Sequence, residues 1–253
     1  MNDTLSTIRN LHSTHGNFSS REISNADLEV IIKASVRASN ASARQSYSII
    51  VVDDKSVMKE YLEYVGSKAL IFCLDFTRLK DTAEYLGHPF ECGGVVDFIT
   101  AGTDTAFAAQ TAAIAASSLG IDYLFTNSVH RGDMKKFYEK FKLPQEHCFP
   151  VIALILGYSD NDKAVVRGRL DGSGVVHYNA YHRLDHSELA AQVDEYDHAG
   201  KNMGVVFFKR NAEQTYGRYL DWFYRVWCKP KSEFRKHKRA EMTNLLKDIG
   251  FIE

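Results

Sequence analysis

Residues 41–54, ASARQSYSIIVVDD, carry two different signals in one stretch. Ser48 to Val52 read as a buried strand, because apolar and β-branched residues follow one another there. The residues that lead into it, Ser42, Arg44, Gln45, Ser46 and Tyr47, are small or rich in hydrogen-bonding groups and need a reason of their own. Upstream, Ser24 with Asp27 three residues later resembles a capping box, and Leu28, Ile31, Ile32 and Val36 recur at helical spacing, which predicts a helix over 24–38. Downstream a short helix is expected around 55–64, then a second strand at 69–75, ALIFCLD. DTAFAAQTAAIAASSL at 104–119 has high helix propensity and very small side chains, so another backbone can approach it closely; Gly120 stops it. A helix over 131–141 and a strand opened by Pro150, VIALILGY, complete a mixed α/β unit by about residue 158.

The remaining third differs. GRLDGSG is a turn-rich link, Asp185 is placed to cap a helix over 187–196, and YGRYLDWFYRVW at 216–227 is an aromatic arm that needs a surface to lie on. With 253 residues and 45% hydrophobic content, the chain can bury a sizeable core. Its 31 Lys and Arg against 32 Asp and Glu give a net charge of -1, so no global field favours nucleic acid or an anionic membrane, and any anion site must be local. The first residues lack an apolar signal region and no apolar run is of membrane-spanning length, which reads as a cytoplasmic protein. Cys73, Cys92, Cys148 and Cys228 are scattered without a C-x-x-C, a spacing that suits reduced thiols rather than a metal cluster.

No glycine-rich dinucleotide fingerprint and no P-loop occurs, so a phosphate must be gripped by dispersed groups. HSTH at 12–15 and RGR at 167–169 offer such groups, or are a polar loop and a solvated turn. In HYNAYHRLDH, His182 and His186 would share a face if helical, but no third metal ligand stands at fixed spacing. KPKSEFRKHKR at 229–239 reads as a solvated helix face. Cys92 beside Gly93 and Gly94 has no flanking cation to activate its thiol, and no nucleophile elbow is present.

Taken in order, LHSTHGNF (11–18), NASARQSYSIIVV (40–52), IAASSLGI (114–121) and RGRL (167–170) resemble the motifs of the FMN-dependent nitroreductase family over roughly residues 8–170. Leu11, Gly16, Ala43 and Ser46 depart from the family pattern. The resemblance implies an α+β fold, a mixed sheet flanked by helices, in a homodimer with flavin sites at the subunit boundary. It divides the chain into an FMN-binding core at 1–170 and an extension at 171–253 that packs on the core or is exchanged onto the partner. The alanine helix is then the central helix of the dimer or a buried intrachain helix.

By the same resemblance, His12, Ser13, Arg167 and Arg169 pair with the FMN phosphate, and Thr14 is a further cofactor-binding residue of the first motif. Asn40, Ala41, Ser42, Arg44 and Gln45 lie along the flavin, and the amides of Asn127 and Ser128 lie near its N5. The implied activity is hydride transfer from NADH or NADPH through flavin N5 to a nitroaromatic, quinone or similar flat acceptor, with no catalytic side chain and no metal. Reductive dehalogenation or desaturation on the same fold, and a non-enzymatic flavin-binding role, are the alternatives.

Overall fold

The run at 69–75 becomes the strand on which the rest of the sheet is aligned. The computed structural model describes residues 2–14, 17–159, 167–209, 212–228 and 233–253. In chain order the elements are α1 (Asp3–Arg9), α2 (Asn25–Ser35), β1 (Tyr47–Val52), α3 (Lys55–Val57), β2 (Lys68–Asp75), α4 (Thr77–Tyr85), α5 (Gly94–Ser118), β3 (Asp122–Thr126), α6 (Met134–Phe141), β4 (Cys148–Gly157), α7 (His186–His198), β5 (Met203–Lys209), β6 (Ala212–Arg218), α8 (Tyr219–Trp222) and α9 (Glu233–Asp248). They pack as two units, Met1–Asp162 with His237–Glu253, and Lys163–Lys236.

In the first unit the sheet order is β1-β2-β4-β3. The expected mixed sheet is corrected: every pair among the described residues is antiparallel. β2 and β3 do run the same way, but β4 is inserted between them, so the helical crossover through α4 and α5 joins strands that never touch.

Residues Ala69 to Leu74 are fully buried because both faces of β2 are covered. Ala69, Ile71 and Cys73, with Ala153 and Ile155, face a cluster that includes Met58, Leu62, Phe137, Ile249 and Phe251. Leu70 and Phe72, with Leu154 and Leu156, face Ile31 and the α5 alanines. A strand buried on both sides reads as a continuous apolar run, which is why this one was legible. Pro150 lies inside β4 rather than opening it, at the point where the β2 register slips between Phe72 and Cys73. The irregular pairing accommodates a residue with no N–H to donate.

Ser24 caps α2 as expected, its Oγ accepting from the Asp27 N–H at 3.0 Å. The alanine helix starts ten residues earlier than composition indicated, at Gly94, because GVVDFIT carries β-branched residues and a glycine that hide its helicity. Gly93, at φ 127°, is forced: a Cβ there would stand 2.7 Å from the Gly250 carbonyl oxygen. Ala108, Ala109, Ala112, Ala113 and Ala116 are all buried against the chain's own sheet and α2, where Ser35 Oγ donates to the Ala108 carbonyl at 2.9 Å. The opposite side of α5 leaves Val95, Val96, Ile99 and Phe107 exposed.

The second unit contains α7, whose capping box joins Asp185 and Glu188, and the antiparallel pair β5–β6. Buried Asp197 accepts from Arg218 at 3.0 Å. The aromatics of the expected arm pack partly on one another: Tyr219 lies 5.2 Å from Trp222 and Phe223 5.2 Å from Tyr224, ring to ring. Tyr224 remains 65% exposed. The basic run at 229–239 falls largely outside the described side chains. Among the described residues no helix is long and apolar enough to cross a membrane.

Ile249 and Phe251 bring the last residues of the chain back into the first unit's core, where Phe251 meets Phe98 at 5.3 Å and Phe76 at 6.3 Å. Phe251→Ala should therefore cost about 3–5 kcal/mol, the usual range for emptying a fully buried phenylalanine site. Urea denaturation checks it; a loss under about 1 kcal/mol would show that the tail is not part of the core.

Candidate functional site

Antiparallel register decides which loops become neighbours. Tyr47 pairs with Leu74, and Asp75 with Cys148, so the loop before β1, the start of α4 and the start of β4 share one end of the sheet. The turn after β3 reaches the same end. His130 Nε2 lies 2.5 Å from the Pro150 carbonyl, and the ring stacks on Phe149 at 5.1 Å. Residues 40–45 thus precede, and 127–128 follow, the two opposite edge strands, β1 and β3, toward the same end of the sheet.

The 40–45 loop is tightly constrained. Ala41–Ala43 form a 3-10 turn, and Ser42, Ala43 and Gln45 have positive φ values of 54°, 54° and 53°. None is glycine, so each is strained, and such strain persists only where the surroundings over-determine it. Asn40 uses both amide atoms within its own neighbourhood, accepting from the Gln45 N–H at 2.9 Å and donating to the Ala38 carbonyl at 3.2 Å. Gln45 Nε2 donates to the Val36 carbonyl at 3.1 Å. The Ala41 N–H donates to Asp104 Oδ1 at 2.9 Å. Ser42 and Ala43 are left exposed at the tip, and the Arg44 guanidinium stands 5.6 Å from the Phe76 ring centre.

Several buried polar atoms here have no hydrogen-bond partner among the described residues: Arg44 Nε, Ser46 Oγ, Tyr47 Oη, Asp104 Oδ2 and Ser128 Oγ. Buried groups of this kind call for a partner. Asp104 could have been noticed as the carboxylate inside an alanine-rich helix. Ser128 spends its amide on Thr126 Oγ1 at 3.1 Å, so what it offers a ligand is its hydroxyl. Asn127 is exposed.

The HSTH segment lies at the opposite end of β3. Thr14 N–H donates to the Tyr123 carbonyl at 2.8 Å, and His12 Nε2 is 3.9 Å from Asp122 Oδ1. Ser13 is exposed; His15 is outside the described residues. From Tyr123 to Asn127 the strand rises about 13 Å. In the second unit, Arg167 donates to the Lys201 carbonyl and stands 5.3 Å from the Tyr219 ring centre, and partial burial pulls its pKa down. Arg169 is exposed and donates to the Arg167 carbonyl at 2.9 Å.

The other candidates have ordinary explanations. His182 sits 2.8 Å from Glu188, and residues 177–185 are not helical. Burial, reinforced by Asp97, pushes the Cys92 thiol up, away from reactivity. All four cysteines are free thiols.

The chain has the nitroreductase fold: it superposes on the NfrA1 nitroreductase from Bacillus subtilis with a TM-score of 0.76, at 23% identity, covering 98% of this chain and 99% of that one. In sequence it is 26% identical to an FMN reductase (NADPH) of Bacillus subtilis over 99% of both chains. It is 28% identical to an FMN reductase [NAD(P)H] of the same organism over 85% of this chain and 87% of that one. No family model matches the chain. Its fold is that of the nitroreductases, and its end-to-end likenesses in sequence are to FMN reductases.

Burial pulls the His130 pKa below its usual value of 6.5; the Pro150 contact opposes this and Lys238 adds to it. The unfolded chain therefore takes up the proton first, so the stability contributed by neutral His130 is complete above about pH 6.5 and is lost as pH falls toward the folded value. Urea midpoints taken from about pH 7.5 to 5.5 should fall more for the wild type than for His130→Gln. Equal falls would remove His130 as the group responsible.

Proposed function

We propose that the chain is an FMN-dependent oxidoreductase of nitroreductase type, which moves hydride from NADH or NADPH to a flat acceptor such as a nitroaromatic or quinone. The observation that carries this reading is the likeness to an FMN reductase over 99% of both chains. When bound, FMN supplies the hydride chemistry itself, so no side chain need serve as acid, base or nucleophile. That relatives are named for reductase activity favours turnover over a sequestering role.

Ser46 Oγ, Asp104 Oδ2 and Ser128 Oγ, without partners among the described residues, and the strained 40–45 loop suit a polar, planar ligand at this end of the sheet. We assign Ala41, Ser42 and Arg44 to the ring or ribityl chain, with Asn40 and Gln45 holding the loop's shape. The Asn127 amide and the Ser128 hydroxyl are assigned to the region of N5. For the phosphate we propose His12, Ser13 and Thr14 in the first unit, and, by their own match to the family motif, Arg167 and Arg169 in the second.

The placement of the two loops at opposite edge strands suits a site at a subunit boundary, with 40–45 from one protomer and 127–128 from its partner. We therefore take the chain to be a homodimer that buries the exposed face of α5, Val95, Val96, Ile99 and Phe107. Any segment lent to the partner is then the second unit, since 237–253 belong to the first. Dependence on reduced nicotinamide argues for the cytoplasm.

The purified protein should be yellow, or become so on adding FMN, and should oxidise NADH or NADPH only when an acceptor is present. A colourless protein that ignores FMN would overturn the reading. Arg169→Ala should weaken FMN about tenfold or more in a fluorescence titration without loss of fold, whereas Arg167→Ala should also lower stability through its Lys201 contact. Unchanged affinity in Arg169→Ala would remove it from the phosphate site. If donor and acceptor take turns at one exposed flavin face, initial-rate lines at several acceptor concentrations should be parallel; intersecting lines would exclude the shared site.

A further inference from the structure

Helix α4 raises a question that packing alone does not answer, since none of its residues is buried. Its position is set at its start. Asp75, at the end of β2, accepts from the Thr77 N–H at 2.9 Å and from Ser48 Oγ at 2.5 Å. The Asp75 N–H in turn donates to the Ser46 carbonyl at 3.0 Å. Because Tyr47 pairs with Leu74, the first turn of α4 is brought beside the last residues of the 40–45 loop. There Arg78, itself exposed, donates through Nη2 to the Arg44 carbonyl at 2.7 Å and to the Gln45 carbonyl at 2.6 Å.

We infer that Arg78 is a positioning residue for the flavin loop: its guanidinium clamps the two carbonyls at the loop's end and so holds Ser42, Ala43 and Gln45 in the left-handed conformation that a ligand meets. The inference rests on the assignment of residues 40–45 to the flavin. Left alone, three non-glycine residues at positive φ would relax toward ordinary backbone regions. One restraint acts at the start, the Ala41 N–H to Asp104, and one acts inside, Gln45 N–H to Asn40. On the carbonyl side the Gln45 carbonyl also accepts from the Tyr47 N–H at 2.8 Å, but among the described residues Arg78 is the side chain that ties the Arg44 and Gln45 carbonyls together, and a charged donor makes those bonds stronger than a neutral one would. A pre-formed loop binds with less ordering cost than one that must be folded by its ligand.

The experiment compares wild type, Arg78→Ala, Arg78→Gln and Lys80→Ala. The last is a control on the same helix, whose ion pair with Glu146 at 3.1 Å does not touch the loop. Hydrogen exchange is followed over peptides spanning 40–47 in the FMN-free protein, and FMN affinity is read by fluorescence quenching. Both Arg78 variants should exchange faster in 40–47 while β2 and α5 keep their protection, and should bind FMN about tenfold or more weakly. Lys80→Ala should match the wild type in both. Unchanged exchange with unchanged affinity in the Arg78 variants would overturn the clamp. If the wild type itself fails to bind FMN, the flavin assignment falls, while the exchange data still decide whether Arg78 holds the loop.

Discussion

The pairing of Tyr47 with Leu74 is the constraint on which the site depends. It places the loop before β1 beside the chain leaving β2, and the contacts at the end of the loop follow from that adjacency. Asp75 reaches the Ser46 backbone and the first turn of α4, and α4 carries Arg78 to the loop's carbonyls. A slip of one residue would turn Ile49 and Ile50 to the wrong faces and carry these bonds out of reach. Burial on both faces is what holds the register, because Leu70 and Phe72 belong to one cluster and Ile71 and Cys73 to the other.

The strain in the loop and the polar atoms around it belong together. Three residues at positive φ, with buried Ser46, Asp104 and Ser128 oxygens lacking partners among the described residues, are a costly arrangement for a chain with no ligand to meet. The cost is tolerable because the sheet beneath is rigid and well packed. The alanine helix contributes by being narrow: its buried alanines let α5 lie close to the sheet, which brings Asp104 Oδ1 to 2.9 Å from the Ala41 nitrogen. A bulkier helix would stand further off and lose that bond.

Much of the architecture was legible because it has a period. The capped α2, the strand at 69–75 and the capped α7 all combine a local signal with a hydrophobic pattern, and local signals survive without tertiary context. What escaped had no such signal. The start of α5 is written in valine, glycine and isoleucine, and α4 buries no residue and so has no apolar stripe to reveal it. The same holds within the site. The motif likenesses pointed to the 40–45 loop and to 127–128, but neither Arg78 nor His130 belongs to a motif, and each matters through a partner far away in sequence.

The sequence by itself determined the capped helices and the buried central strand, that no global charge selects nucleic acid, and, through four motifs in order, the family the chain resembles. Those features depend on local propensity, composition and spacing, which a linear chain records directly. Only the tertiary structure decided that the sheet is antiparallel, that the alanine stripe faces its own sheet, that the final residues return to the core, and which side chains hold the 40–45 loop. Each of these depends on contacts between residues tens of positions apart, and such contacts exist only once the strands have chosen their register.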